Sequence, residues 1–307
     1  MSGYLQPDAL LPVEWFVVAA AFAFGTVLGS FANVAIYRLP REGLRLNDPP
    51  RSFCPACRHT IAWYDNVPLL SFILLLGRCR HCGAGISPRY PAVEGLCGVL
   101  FALSAYHFAL AGQWMTFLVS CAFCLALVIV TFVDLEFRII PDAIDKPGML
   151  LAPVLSFAVP GLHVGSLVQL LGWLGRSWGL SEPFSWSDRV LAAASSILGV
   201  AVGAALTYAV GVAGKAVFRK EAMGFGDVKL MGMIGGILGW QAVIMTFFLG
   251  SVIGAFVGVG LGVFVRRRDP HIPFGPFLAS AAVLILFHQA QIRHFFLVTY
   301  PRWLSGL

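Results

Sequence analysis

The chain has 307 residues, of which 58% are apolar and only 12% charged, with a formal charge of +6 and a mean hydropathy of +0.82. That is too little polar surface to cover a water-soluble globule of this size, so the composition excludes both a soluble enzyme and a disordered chain and indicates an integral membrane protein. No long run alternates apolar and polar residues, which disfavours a β-barrel and leaves an all-α polytopic fold. The basic balance is no argument for nucleic acid as a partner, because basic loops set orientation in a bilayer.

Charge-free runs place the membrane spans, each needing about 20 apolar residues. Residues 15–37 form the first. The run 95–133 breaks at Ala111, Gly112, Gln113 and Trp114, and the run 230–265 breaks at Gly239, Trp240 and Gln241, so each reads as a helix pair. The pattern predicts about eight transmembrane helices, over 15–37, 94–111, 115–134, 143–160, 190–213, 228–240, 242–265 and 273–290, the sixth short and Gly-rich. Seventeen of the 21 Lys and Arg fall in loops on one side, and only Arg176, Arg189, Arg293 and Arg302 on the other. By the positive-inside rule the loop 38–93 is cytoplasmic and both termini lie outside. The first helix reads as a retained anchor, because its apolar stretch exceeds a signal h-region and no basic n-region precedes it. The predicted organisation is a first spanning helix in 1–37, a cytoplasmic zinc-binding domain in 38–93, and a spanning core in 94–307 with an outer-face insertion at 161–189. In that insertion Val164, Leu167, Leu170, Leu171, Leu174 and Trp178 recur at helical spacing, as in a helix lying in the interface.

Within the cytoplasmic loop stand two Cys-x-x-Cys pairs, Cys54 with Cys57 and Cys79 with Cys82. Two intervening residues let a tight knuckle aim both sulfurs at one ion, and two knuckles complete a closed tetrahedral thiolate site for structural Zn2+. A short loop without a sizeable core needs such a staple. Disulfides are the alternative and require an oxidising compartment, which a cytoplasmic loop is not. Cys97, Cys121 and Cys124 lie mid-helix and read as small buried apolar residues, and His59 and His81 as exposed loop histidines.

Carboxylates at the ends of spanning helices are costly and are functional candidates. Asp134 closes the third helix and Asp227 opens the sixth, in Met223-Gly224-Phe225-Gly226-Asp227-Val228-Lys229. Both belong to the cytoplasmic boundary, so they are able to meet. Two carboxylates sharing a proton are what an aspartic protease requires: the ionised one takes a proton from water and the neutral one polarises the scissile carbonyl. The helix-end positions predict Asp227 as the anion and Asp134 as the acid. Gly224 and Gly226 are read as positive-φ positions that let backbone approach a substrate strand. Lys229 is read either as pairing with a substrate carboxylate or as snorkelling to the interface, and Glu136 and Asp142 are left outside the catalytic set. The alternatives are a solvated helix end for Asp134, an N-cap for Asp227, or a cation relay in a transporter.

In company, these features resemble the type IV prepilin leader peptidases, bifunctional membrane enzymes of the Gly-x-Gly-Asp aspartic protease class. The resemblance runs through Gly29-Ser30-Phe31-Ala32-Asn33-Val34, Tyr37-Arg38-Leu39-Pro40, both cysteine pairs, Ile86 to Pro91 with Glu94, Asp134 to Asp142, Met223 to Lys229, and Pro273-Phe274-Gly275-Pro276. It implies that Asp134 and Asp227 are catalytic and cut type IV prepilins or pseudopilins after a glycine at the cytoplasmic face of the bacterial inner membrane. Because the cysteine-bearing loop is present, it also implies methylation of the new N-terminal amine with S-adenosylmethionine. No glycine-rich nucleotide turn after a strand is found, so the methyl-donor site is of another kind. A related intramembrane protease without methylation, or a zinc-stapled transporter or scaffold, are the competing readings. Membrane lipid accounts for the basic inner face, and the oligomeric state is not legible.

Overall fold

A computed structural model describes residues 11–41, 43–47, 51–162, 188–219, 223–265 and 273–294. The expected interfacial helix and most of the 161–189 insertion lie outside the described residues. Among those described, nine α-helices and short 3-10 or π turns are present, with no strand beyond two isolated bridges. The chain divides into two compact units, residues 1–133 and 134–307.

The first unit contains α1 (Pro12–Arg38), the short α2 (Leu70–Leu74), α3 (Arg89–Ser104) and most of α4 (Trp114–Phe137). Pro12 stands at the first helical position of α1, Glu14 accepts the Leu11 N–H at 2.7 Å, and Arg38 occupies the last turn. These choices suit the unpaired amides and the dipole at each end. α3 continues through a π turn over Ala105–Ala109, and the chain breaks at Gly112, whose φ is +75°, before α4 begins. α1 and α3 run antiparallel in close contact: a Cβ on Gly25 would lie 2.6 Å from the Cys97 carbonyl, and one on Gly29 2.7 Å from the Glu94 Cα. Small residues let the backbones approach where apolar burial supplies no drive in lipid. The buried Asn33 amide donates to the Tyr90 carbonyl at 3.0 Å, and the Glu94 carboxylate accepts the Leu69 N–H at 2.8 Å and hydrogen-bonds Ser30. The two sequence motifs are therefore tied together by hydrogen bonds from Asn33 to the Tyr90 carbonyl and between Ser30 and Glu94.

The second unit contains α5 (Asp142–Ala158), α6 (Asp188–Phe218), α7 (Phe225–Leu238), α8 (Trp240–Val265) and α9 (Gly275–His294, kinked at His288). Every residue of α7 from Leu230 to Leu238 is buried, so this helix is the core of the unit. It meets α6 antiparallel at Gly199, Gly203 and Gly235, where a Cβ would run into facing backbone, and the Ser196 hydroxyl donates to the Gly236 carbonyl at 2.6 Å. It lies parallel to α5, with Gly148 against Met233, Met149 against Gly232 and Ala152 against Gly236. Gly239, at φ +88°, ends α7 and lets α8 follow at once.

Among the described residues, five helical stretches are long and apolar enough to cross a bilayer: Pro12–Arg38, Arg89–Ala109, Trp114–Phe137, Arg189–Val217 and Trp240–Gly260. The chain is thus a multi-pass membrane protein. The other three predicted spans correspond to helices α5, α7 and α9, which are shorter. At about 1.5 Å per residue, the 14 residues of α7 reach roughly 21 Å, less than the ~30 Å hydrocarbon core.

Candidate functional site

The four loop cysteines converge as their spacing predicts. Cys54, Cys57, Cys79 and Cys82 place their Sγ atoms within 4.8 Å of one another, with 3.9 Å between those of Cys54 and Cys82. Tetrahedral ligands about 2.3 Å from Zn2+ lie roughly 3.8 Å apart, so the set fits that ion. Each knuckle is built the same way. The Cys54 N–H donates to the His59 carbonyl and the Arg58 N–H to the Cys54 carbonyl; in the second knuckle Cys79 donates to Ala84 and Gly83 to Cys79, all at 2.8–2.9 Å. The turns close because Arg58 and Gly83 take left-handed φ of 57° and 71°. Backbone hydrogen bonds from Cys82 and His81 bring the Cys79 thiol down to about 7, which favours the thiolate that a metal needs. His59 and His81 stack on each other with centroids 4.2 Å apart and are exposed. Asp65 receives a bidentate hydrogen bond from Arg80, which holds its carboxyl below the usual range. All seven cysteines are free thiols, and Cys97, Cys121 and Cys124 are buried.

Asp134 and Asp227 fall in the same compact unit and within electrostatic reach of each other. Asp134 stands in the last turn of α4, 6% exposed, and Asp227 in the first turn of α7, 9% exposed. The Asp227 carboxylate accepts the Gly224 N–H at 3.2 Å. Asp227 is therefore not the N-cap, a position held by Gly224, but the third residue of the helix reaching back to it. Asp134 accepts the N–H of Gly275, the first residue of α9, at 3.1 Å. The predicted electrostatic asymmetry does not hold, because Asp134 faces the N-terminus of α9 as well as ending α4, so each carboxylate meets a positive helix end.

The glycines act differently from expectation. Gly224 has φ −77° and Gly226 lies inside α7, so neither uses a positive φ. Gly226 is required by packing: a Cβ there would lie 3.0 Å from the Ile140 Cβ. Ile140 also approaches Gly275, where a Cβ would meet it at 3.5 Å and Asp134 Oδ2 at 2.5 Å. Ile140 is thus wedged between Gly226, which precedes Asp227, and Gly275, whose N–H holds Asp134. Lys229 pairs with Asp142, which also binds Lys146 at 2.7 Å, and its ammonium lies 5.0 Å from the Phe225 ring. Sequence reasoning missed Gly275 and Asp145. Asp145 is wholly buried with neither carboxylate oxygen hydrogen-bonded, within reach of the charges of Asp142, Lys229 and Asp227.

Residues 23–108 match the model of the bacterial peptidase A24 N-terminal domain, and residues 121–259 that of the type IV leader peptidase family. A prepilin leader peptidase/N-methyltransferase of Aeromonas hydrophila is 33% identical, over 94% of this chain and 96% of the relative. The chain belongs to the type IV leader peptidase family. Relatives of the same description from Stutzerimonas stutzeri, 33% identical over 92% of this chain and 96% of theirs, and from Klebsiella pneumoniae, 35% identical over 75% and 89%, agree. No solved structure matches the chain.

Proposed function

We propose that the chain is a membrane-embedded aspartic endopeptidase of the bacterial inner membrane. It removes the leader of type IV prepilins or pseudopilins after a glycine, at the cytoplasmic face, and N-methylates the new N-terminal residue. The observation that carries the first activity is the Asp134–Asp227 pair: two buried carboxylates in one unit, each held by a backbone N–H at a helix N-terminus. Like-charge repulsion makes the pair share a proton. The ionised partner takes a proton from the attacking water, while the protonated partner donates a hydrogen bond to the scissile carbonyl, and the proton then passes to the leaving amine. Because each aspartate faces a helix N-terminus, the acid and base roles belong to the pair rather than to one residue. Lys229, tied to Asp142, fixes the start of α7 against α5 two residues beyond Asp227.

The methyltransferase reading rests on the relatives' descriptions and on the loop 38–93. Cys54, Cys57, Cys79 and Cys82 hold Zn2+, which is structural, and S-adenosylmethionine supplies an electrophilic methyl group when bound. The eight-span topology follows from counting the short helices α5, α7 and α9 with the five long ones; it assigns 1–37, 38–93 and 94–307 as first span, cytoplasmic domain and spanning core. The test is incubation of the detergent-purified protein with a prepilin and S-adenosylmethionine, read by mass spectrometry of the product N-terminus. Loss of the leader and gain of one methyl group are expected. Asp134→Asn and Asp227→Asn each abolish cleavage, and cleavage surviving both substitutions overturns the assignment.

A further inference from the structure

Between the two cysteine knuckles lies a stretch that neither the thiolate cluster nor the aspartate pair accounts for. Residues 63–76 expose Trp63, Tyr64, Leu70, Ile73, Leu74 and Leu76, with Trp63 at 82% and Leu76 at 85%. A loop surrounded by water rarely presents so many large apolar side chains in one run, and such a patch marks a contact surface. The knuckles gather the two ends of the stretch, because the sulfurs of Cys54, Cys57, Cys79 and Cys82 lie within 4.8 Å of one another.

Position, backbone and charge identify what covers the patch. The stretch rests on a spanning helix: the Leu69 N–H donates to the Glu94 carboxylate at 2.8 Å, and a Cβ on Gly95 would touch Leu69 Cδ2 at 3.8 Å. Glu94 and Gly95 both lie inside the apolar stretch Arg89–Ala109. Gly95, Val99 and Leu103 follow one another at i, i+4 and i+8 on one face of α3, and Val99 and Leu103 are exposed, as the lipid-facing residues of a span are. The patch thus stands at the head of the lipid-facing stripe of α3. Its backbone is closed on itself. The Val67 N–H donates to Ser71 Oγ at 3.0 Å, that hydroxyl donates to the Tyr64 carbonyl at 3.1 Å, and the N–H groups of Ser71, Ile73, Leu75, Leu76, Gly77 and Arg78 reach carbonyls within residues 67–75 at 2.9–3.2 Å. Left-handed φ of 61° at Leu69 and 51° at Leu76 bracket α2 and fold the chain back. Internal pairing of this kind is what a segment needs to leave water. Residues 38–93 hold eight arginines against three acids, and Arg58 and Arg78 are exposed at the two ends of the stretch. This balance complements anionic headgroups.

We propose that residues 63–76 dip into the bilayer beside α3, with Leu70, Ile73, Leu74 and Leu76 among the acyl chains and Trp63 and Tyr64 at the level of the headgroups. The partner of the patch is the lipid surface itself. The cysteine knuckles then have a mechanical part, since they hold both ends of the stretch together at the water side and project its apolar tip. The loop 38–93 is on this reading a domain seated in the interface rather than one suspended in water.

The test uses the full-length protein in vesicles of phosphatidylethanolamine and phosphatidylglycerol, with the photoreactive p-benzoylphenylalanine in place of Leu74, and in separate proteins in place of Val99 as the lipid-facing reference and of Arg58 as the water-facing one. After illumination, mass spectrometry of the peptides is expected to find lipid adducts at 74 and 99 and none at 58. Adducts at 99 with none at 74 overturn the proposal. Crosslinks from 74 to a second copy of the chain, or to an added prepilin, assign the patch to a protein contact and overturn it as well. Hydroxyl-radical footprinting of the unmodified protein in the same vesicles gives an independent reading. Oxidation is expected at the exposed His59 and His81 and is expected to be lost at Ile73, Leu74 and Leu76; labelling of those three residues as strong as that of the histidines places the stretch in water and removes the inference.

Discussion

Asp134 and Gly275 are joined by a hydrogen bond of 3.1 Å from the Gly275 N–H to the Asp134 carboxylate, across 141 positions of the chain. A side chain at 275 cannot coexist with this bond, since its Cβ would lie 2.5 Å from Asp134 Oδ2. Gly275→Ala is therefore expected to displace the carboxylate and lower kcat/KM for leader cleavage by about 100-fold, the cost of a misplacement near 1 Å. Gly224→Ala is the control. It has φ −77° and its Cβ would meet Asp227 Oδ2 at an ordinary 3.6 Å, so its activity should stay close to wild type. Steady-state kinetics with a prepilin peptide decide, and a fully active Gly275→Ala enzyme would show that Asp134 is not held by α9.

The proton balance of the pair gives a second expectation. Two carboxylates within electrostatic reach do not both ionise without cost, so only the singly protonated pair is competent. The dependence of kcat/KM on pH should be bell-shaped, rising as the first proton leaves the pair and falling as the second leaves. Asp134→Asn and Asp227→Asn should each remove activity across the whole range rather than shift the curve. A wild-type profile with a single ionisation would sink the shared-proton mechanism.

Asp145 presents a different balance. It is fully buried, and neither oxygen has a hydrogen-bond partner among the described residues. A buried polar group left unsatisfied costs about 1–3 kcal/mol, so Asp145→Val should raise the melting temperature of the detergent-solubilised protein and leave cleavage intact. Thermal unfolding followed by intrinsic fluorescence measures this. A lower melting temperature would mean that the carboxylate has a partner in the native protein.

Local chemistry was legible in the sequence. Charge-free runs placed the helices, and the breaks at Gly112 and Gly239 were readable because both take a positive φ that ends a helix. The cysteine pairs were readable because a knuckle is a local turn. What escaped depends on contacts between distant segments. Gly275 looked like part of a Pro-Phe-Gly-Pro motif, and only the packing of α9 turns its N–H toward Asp134. Gly226 was assigned to backbone freedom, whereas its lack of a Cβ makes room for Ile140. Asp145 was indistinguishable from Asp142 as an acid near a helix start until α5 was set parallel to α7, burying one and leaving the other to pair with Lys229. Helices α5, α7 and α9 stand where the sequence predicts spans, but helix length depends on where caps and neighbours end the element.

Removal of the metal should act on the loop alone in its first effect. The two knuckles are held by a few backbone hydrogen bonds and short bridges, and of their four cysteines only Cys54 is buried. A segment so poor in apolar core depends on the ion, whose binding supplies about 10–16 kcal/mol in small zinc-finger peptides. The purified protein should therefore carry one zinc per chain, and chelation or Cys54→Ser should open residues 51–87 to proteolysis. The pH dependence has a definite sign. A zinc-bound sulfur is a thiolate, so protons compete with the ion as pH falls; backbone donors bring the Cys79 thiol down to about 7, while burial and the neighbouring sulfurs push Cys82 up to about 11. Zinc retention, measured by elemental analysis after dialysis against a weak chelator, should drop as the buffer is taken from pH 8 to below 7. Full retention at pH 5 to 6 would mean that protons do not compete at these sulfurs, and a metal-free protein with intact protease resistance would remove the structural role from the ion.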